Sequence, residues 1–409
     1  MSNVSVLNVL LYNEPIGTLT LLNGDRSIFA FNENYLNNPQ RPTLSLSFID
    51  EFGGLIDRLS PVQTKVEPFF SNLLPEGHLR HYLAERANVK EAREFFLLWV
   101  LGRDLPGAVT LIPADVYYPL VTDTALPTPQ TINNTMALKF SLAGVQLKFS
   151  ALKNEGNHGC LTIPLHGSGG SWIVKLPSLK NDAVPENEFS MMTLAKKLGM
   201  DVPEIMLVDV KDIAGLPNDL GTIQGKAFAI RRFDRTENGP VHIEDFAQVF
   251  NVYPEVKYEK ATYRRIAKVL SITSSESSVT EFIRRMIFNT LIGNGDMHLK
   301  NWSLIYKDRY RPELSPVYDF VSTIPYIPND KAALKYSRTN IMQDLDYNEL
   351  SYFAAKALIP ETLVLNTTRQ TVAQFLELWY TEKTHLELSA AVITAIDKHL
   401  AGLKIVQES

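Results

Sequence analysis

Gly293-Asn294-Gly295-Asp296-Met297-His298-Leu299-Lys300-Asn301, followed by Val317-Tyr318-Asp319-Phe320, decides how this chain is read. The first run follows the clearest helical pattern in the sequence, Val279 to Ile292, where Phe282, Ile283, Met286, Ile287 and Leu291 share one face. Either fragment alone reads first as Asx turns with an Asp that caps a helix, because Asn, Gly and Asp are turn formers. Together and in this order they offer oxygens with different uses. Asp296 can accept a hydroxyl proton, while Asn301 and Asp319 can give hard oxygen ligands to a Mg²⁺ that bridges phosphates.

The D-x-x-x-x-N spacing, with a second Asp one short hairpin later, is the placement used by protein kinases. Upstream, Trp172-Ile173-Val174-Lys175-Leu176 is a strand with one Lys among apolar residues. It reads as a phosphate-binding Lys on a strand or as a surface Lys on an edge strand; Glu188 in the following helix is its natural ion-pair partner. Phe140-Ser141-Leu142-Ala143-Gly144-Val145-Gln146-Leu147-Lys148-Phe149 would sit over the phosphates. With Gly144 as its single glycine it matches neither G-x-G-x-x-G nor G-x-x-x-x-G-K-[ST], and from the residues alone it reads as a strand–turn–strand.

Around these motifs, 409 residues with 45% hydrophobic and 21% charged composition exclude a disordered or fibrous chain and predict at least two compact units. The net charge of -5 gives no sign of a nucleic-acid coat. A single cysteine, Cys160, excludes an internal disulfide and any Cys-based zinc or iron–sulfur site. Met1-Ser2-Asn3-Val4 lacks the pattern of a secretory leader and no apolar run reaches a membrane span, so the expectation is a soluble, cytoplasmic protein.

Strands are predicted at Val4 to Leu11, Gly17 to Leu22 and Ser27 to Phe31, with a turn at Asn13-Glu14-Pro15. From Glu67, apolar residues recur at helical spacing through Leu83; a second helix is predicted over Lys90 to Gly102 and a strand over Gly107 to Ile112. Pro- and Thr-rich residues from Asp115 to Asn134 read as a linker. Strands follow at Leu138 to Leu152, Ser171 to Leu176 and Lys226 to Arg232, interrupted by a helix from Glu186 to Leu198; beyond Asp234 the chain reads as mainly helical. The predicted fold is α+β: a bilobal protein-kinase-like fold, β-rich upper lobe and helical lower lobe, with an added N-terminal β-rich subdomain. Its divisions are residues 1–112, a linker at 113–135, an upper lobe at 136–235 and a lower lobe at 236–409.

The sequence resembles the HipA family of bacterial toxin–antitoxin serine/threonine kinases over nearly its whole length. The resemblance rests on Pro68-Phe69-Phe70-Ser71-Asn72-Leu73-Leu74-Pro75-Glu76-Gly77, Ser141-Leu142-Ala143-Gly144-Val145-Gln146-Leu147-Lys148, Val174-Lys175-Leu176-Pro177, Glu186-Asn187-Glu188-Phe189, Arg232-Phe233-Asp234-Arg235 and the Asp296 and Asp319 motifs. It implies a kinase that uses ATP and Mg²⁺, with Asp296 as catalytic base and Asn301 and Asp319 as metal ligands. It also implies nucleotide contacts from Ala143, Gly144, Val145, Gln146, Lys148, Lys175, His298 and Lys300. Ile230 to Phe233 becomes an adenine hinge with backbone contacts at Arg231 and Phe233, although Arg231 departs from an acidic hinge residue. Further implications are autophosphorylation at Ser141, growth arrest through phosphorylation of an aminoacyl-tRNA synthetase, and a HipB-like helix-turn-helix antitoxin through which alone DNA is bound. Two alternatives stand beside it: a small-molecule phosphotransferase of the aminoglycoside or choline kinase type, whose loop also fits G-D-x-H-x-x-N, and a catalytically silent, antitoxin-binding co-repressor.

Overall fold

Along Ser5–Leu11 every second residue is buried, the signature of a strand with one face on a core. The computed structural model describes residues 5–114, 148–153, 161–163, 170–178, 180–216 and 223–408. It divides into two compact units: Met1–Val145 with Asp234–Glu255 and Ile305–Tyr310, and Gln146–Phe233 with Val256–Leu304 and Arg311–Ser409.

In the first unit, Ser5–Leu11 is flanked by Glu14–Leu22 and Val109–Pro113 in an antiparallel sheet, with Arg26–Phe31 and Val62–Gln63 beyond Glu14–Leu22. The predicted turn falls one step earlier, at Tyr12 and Asn13, which both take the left-handed conformation. Leu7, Val9, Leu11, Leu19 and Phe29 meet Phe69 and Phe70 in the core. The helix predicted from Glu67 is two, Pro68–Ser71 and Gly77–Arg86. Pro75 lacks the N–H that a continuous helix needs and disfavours helical backbone before it.

Segments 234–255 and 305–310 belong to this unit rather than to the second, so the boundary expected at 235/236 does not coincide with the compact units. Glu244, 1% exposed, shows why. Its carboxylate accepts from Ser45 Oγ at 2.5 Å, from the Leu46 N–H at 3.0 Å and from the Tyr306 hydroxyl. Burial pushes the His242 imidazole down to about 4, and its Nε2 lies 2.7 Å from the Leu44 carbonyl. A neutral ring that donates at Nε2 satisfies both facts.

The second unit has two lobes. Six strands form the upper sheet in the order Ile213–Ala214, Leu161–Thr162, Lys148–Lys153, Trp172–Lys175, Lys226–Arg231, Ile205–Asp209. The helix Val184–Lys197 lies against the last two strands, with Pro185 in its first turn and Lys196 and Lys197 in its last. The lower lobe is built on Glu276–Leu291, whose predicted apolar face is buried, with Tyr263–Thr273, Tyr347–Ala357, Glu361–Glu382 and Ala390–Ala401 around it. This is the predicted α+β arrangement. Among the described residues, no helix is long and apolar enough to cross a membrane.

Candidate active site

Glu276–Leu291 begins at Ser275, whose hydroxyl accepts from the Ser278 N–H, and carries Glu276 at the positive end of its dipole. It ends on Gly293, at φ +66°. A Cβ there would lie 2.5 Å from Ile324 Cδ1, so both the conformation and the space call for glycine. Gly295 is as confined: its Cβ would come 2.0 Å from Asp330 Oδ2.

Between the glycines, Asn294 Nδ2 donates to Asn289 Oδ1 at 2.8 Å while its Oδ1 accepts from the Asp296 N–H at 3.0 Å. The Asp296 carbonyl accepts from the His298 N–H and from Asn301 Nδ2, each at 2.8 Å. These bonds fix the loop from 294 to 301 through the Asp296 backbone and leave its carboxylate uncommitted to them. Its Oδ1 accepts from the Tyr258 hydroxyl at 2.5 Å, and the Tyr258 ring meets His298 edge to face at 4.9 Å. The Asp296 residue stays open to solvent, yet the density of chain around its carboxyl raises its pKa. The Tyr258 bond pulls it back, and the Asp319 charge pushes it up again.

Lys175, 4% exposed, contacts both Glu188 and Asp319 through its Nζ. Lys148 stands opposite Lys175 on the neighbouring strand, and its Nζ lies 3.4 Å from Asp319 Oδ2. Two lysines in register repel; here the carboxylates of Asp319 and Glu188 compensate them. Burial works against the Lys175 ammonium, but Asp319 and Glu188 outweigh it and hold its pKa above the ordinary value. Burial likewise opposes ionisation of Asp319, and Lys148 and Lys175 hold its carboxyl far below the usual range. At Glu188 burial wins, and the carboxyl is raised despite Lys175. Asp319 is itself left-handed, at φ +57°. Its neighbour Phe320 stacks on Phe288 at 5.3 Å, and its carbonyl lies 3.4 Å from Asn294 Nδ2.

The structure therefore brings Lys148, Lys175, Glu188 and Asp319 together and sets Asp296, His298 and Asn301 on one fixed loop. Lys300 contributes its carbonyl to the Tyr318 hydroxyl at 3.0 Å. At the expected hinge, the Arg231 N–H is donated to the Glu204 carbonyl at 2.8 Å, which removes that group from any adenine contact. The Phe233 ring tilts against Tyr318 at 5.8 Å. Ser141, Ala143, Gly144, Val145 and Gln146 lie outside the described residues. Tyr258, Thr323 and Asp330 are additions that the sequence reading missed. Thr323 Oγ1 accepts from the Gly295 N–H at 2.8 Å and donates to Asp330 Oδ2 at 2.5 Å.

Among the described residues, no group of three or more His, Cys, Asp or Glu is placed to hold a metal ion. Mg²⁺ fits a smaller protein set, one or two side-chain oxygens completed by phosphates and water. The Asp319 carboxylate and the amide oxygen of Asn301, whose Nδ2 is already used, are oxygens of the kind such a set needs. Lys148 and Lys175 beside Asp319 suit a polyphosphate.

A model of the HipA N-terminal domain matches residues 7–112, and one of the HipA-like C-terminal domain matches residues 140–379. "Putative kinase Y4dM" of Sinorhizobium fredii is 56% identical, covering 100% of this chain and 99% of its own. "Serine/threonine-protein kinase toxin HipA" of Shewanella oneidensis is 26% identical over 64% of each chain. A solved complex of HipA, HipB and operator DNA from Shewanella oneidensis MR-1 contains a chain of the same fold, with TM-score 0.70, 21% identity, and coverage of 98% of this chain and 99% of that one. By the two domain matches and the near full-length relative, this chain belongs to the HipA family.

Proposed function

We propose that the chain is an ATP-dependent serine/threonine protein kinase and the toxin of a type II toxin–antitoxin pair. The observation that carries this reading is the bridge from Lys175 to Glu188 and Asp319, in the same unit as Asp296 and Asn301. Lys175 and Lys148 bind the nucleotide phosphates, and Glu188 orients Lys175 from its helix. Asn301 and Asp319 would hold Mg²⁺, which would supply positive charge to offset that of the phosphates. Asp296 accepts the proton of the acceptor hydroxyl, that oxygen attacks the γ-phosphorus, and the bond from the γ-phosphorus to the ADP oxygen breaks. A raised carboxyl pKa makes Asp296 a better proton acceptor at neutral pH. Tyr258 holds the carboxylate in the resting state and must yield Oδ1 if the acceptor donates there.

Protein acceptors follow from the family rather than from the site: an aminoacyl-tRNA synthetase, whose modification arrests growth, and the chain's own Ser141. The partner is a HipB-like helix-turn-helix antitoxin, supported by the solved complex of the Shewanella relative. With a net charge of -5, the chain by itself binds DNA weakly, and the partner supplies the main DNA contacts. Incubation with γ-labelled ATP and Mg²⁺ tests the assignment. Label on Ser141 and on a protein acceptor is the expected result. Label on a small acceptor alone supports a small-molecule phosphotransferase, and no label supports a silent co-repressor.

A further inference from the structure

Asn187 precedes Glu188 in the helix Val184–Lys197 and is 1% exposed. Its amide is committed to one stretch of chain. Nδ2 donates to the Ser322 carbonyl at 2.9 Å and to the Tyr326 hydroxyl at 3.2 Å, and Oδ1 accepts from the Ser322 N–H at 3.1 Å. Both backbone groups of Ser322 are thus held by one side chain. A leucine would fill a similar volume without desolvating an amide, so a filling role alone does not explain the choice.

Ser322 lies three residues after Asp319, whose left-handed backbone persists only where the surroundings over-determine it. Three fasteners do so on the C-terminal side. Phe320 stacks on Phe288, Asn187 holds Ser322, and the Thr323 N–H donates to the Gly293 carbonyl at 3.0 Å. Of these, Asn187 alone ties the Asp319 segment to the helix that carries Glu188. The Lys175 bridge makes the same connection by charge, but it is the connection that nucleotide phosphates would loosen by competing for the ammonium. A neutral amide clamp is untouched by that competition.

We infer that Asn187 is a positioning residue: its clamp on Ser322 keeps the Asp319 carboxylate in register with the Glu188 helix, so that metal and nucleotide can be held at once. The inference rests on the reading of Asp319 as a metal ligand.

Binding of a fluorescent ATP analogue to the full chain, with and without Mg²⁺, tests it without recourse to activity. Asn187→Ala should weaken the Mg²⁺-dependent binding by about 10–100-fold, the usual effect of losing a group that orients a metal ligand. Binding without Mg²⁺ should stay within about 2-fold, since no direct phosphate contact is lost. Tyr326→Phe removes only one of the three bonds, keeps the fold available for measurement, and should weaken Mg²⁺-dependent binding by about 2–5-fold. Equal losses with and without Mg²⁺ would mark Asn187 as structural and overturn the inference. An unchanged Mg²⁺ dependence in Asn187→Ala, with Asp319→Ala losing it, would overturn the inference alone. If Asp319→Ala also keeps its Mg²⁺ dependence, the metal-ligand reading itself fails.

Discussion

Replacing Lys175 by Met removes a cation from between two carboxylates while keeping the length and apolar body of the side chain. The loss should fall mainly on Glu188. Its side chain is 3% exposed against 20% for Asp319, and Asp319 retains Lys148 at 3.4 Å. Deleting one partner of a buried ion pair costs about 3–5 kcal/mol, because the remaining charge is neither solvated nor paired. For a unit of this size that corresponds to a fall in melting temperature of roughly 2–4 °C per kcal/mol. The penalty should shrink as pH falls, since burial already raises the Glu188 carboxyl and removing Lys175 takes away the charge that opposes that rise. Lys175→Met/Glu188→Met should recover most of the loss, within about 1 kcal/mol of wild type, because no unpaired charge remains. Phosphotransfer should be lost in both variants, which separates the stabilising role of the pair from its catalytic one. Denaturation of the four proteins of this cycle at pH 5 and pH 8 reads these values directly. The reasoning is wrong if Lys175→Met is as stable as wild type, or if the double variant is no better than the single one.

Glu244 offers a test of the first unit. Burial raises its carboxyl from 4.5 to about 7, so its contribution to stability is fully present below pH 4.5 and is lost as pH rises through 7. Glu244→Gln, which cannot ionise, should therefore gain on wild type between pH 5 and pH 8 by up to about 3 kcal/mol in denaturation; a pH-independent difference would contradict this. Burial lowers His242 to about 4, so its term is lost in the opposite direction, as pH falls from 6.5 through 4, and cancels in that comparison. Gly295→Ala should displace the loop by bringing a Cβ against Asp330, cutting turnover at least about 10-fold with a smaller effect on nucleotide binding. Full turnover would mean that Asp330 yields freely. Tyr258→Phe removes a bond that favours the Asp296 carboxylate, so the acid limb of the kcat/KM profile should move to higher pH. An unmoved limb would show that the phenol does not act on the base in the free enzyme.

The candidate site was legible in the sequence where chemistry and local spacing coincide. Asp296 and Asn301 share one short loop after a strongly amphipathic helix, and Lys175 stands out as the single charge in an apolar strand. Tyr258, Thr323, Asp330 and the amide of Asn187 gave no such signal. Tyr258, Thr323 and Asn187 act on residues far along the chain, and Asp330 reaches the loop through Thr323, so the tertiary fold alone creates these contacts. The helical spacing from Glu67 misled for a related reason: Phe69, Phe70, Leu73 and Leu74 are apolar because they lie in the core of the first unit, and Pro75 breaks the helix between them and Leu79. Hydrophobic pattern also cannot tell which core a segment joins. The strand His242–Asp245 was hidden in a stretch that reads as helical, and its membership of the first unit depends on Ser45, Leu46 and Tyr306 meeting Glu244.

The assignment of Asp296 as the proton-accepting base is tested most directly by phosphotransfer from ATP in Asp296→Asn beside wild type, with Mg²⁺–nucleotide binding measured on the same samples. The amide keeps the size and hydrogen-bonding capacity of the side chain but cannot take a proton. Binding should stay near wild type while transfer falls by at least about 100-fold, the lower end of what a positioned base contributes. Wild-type-like transfer by Asp296→Asn would contradict it.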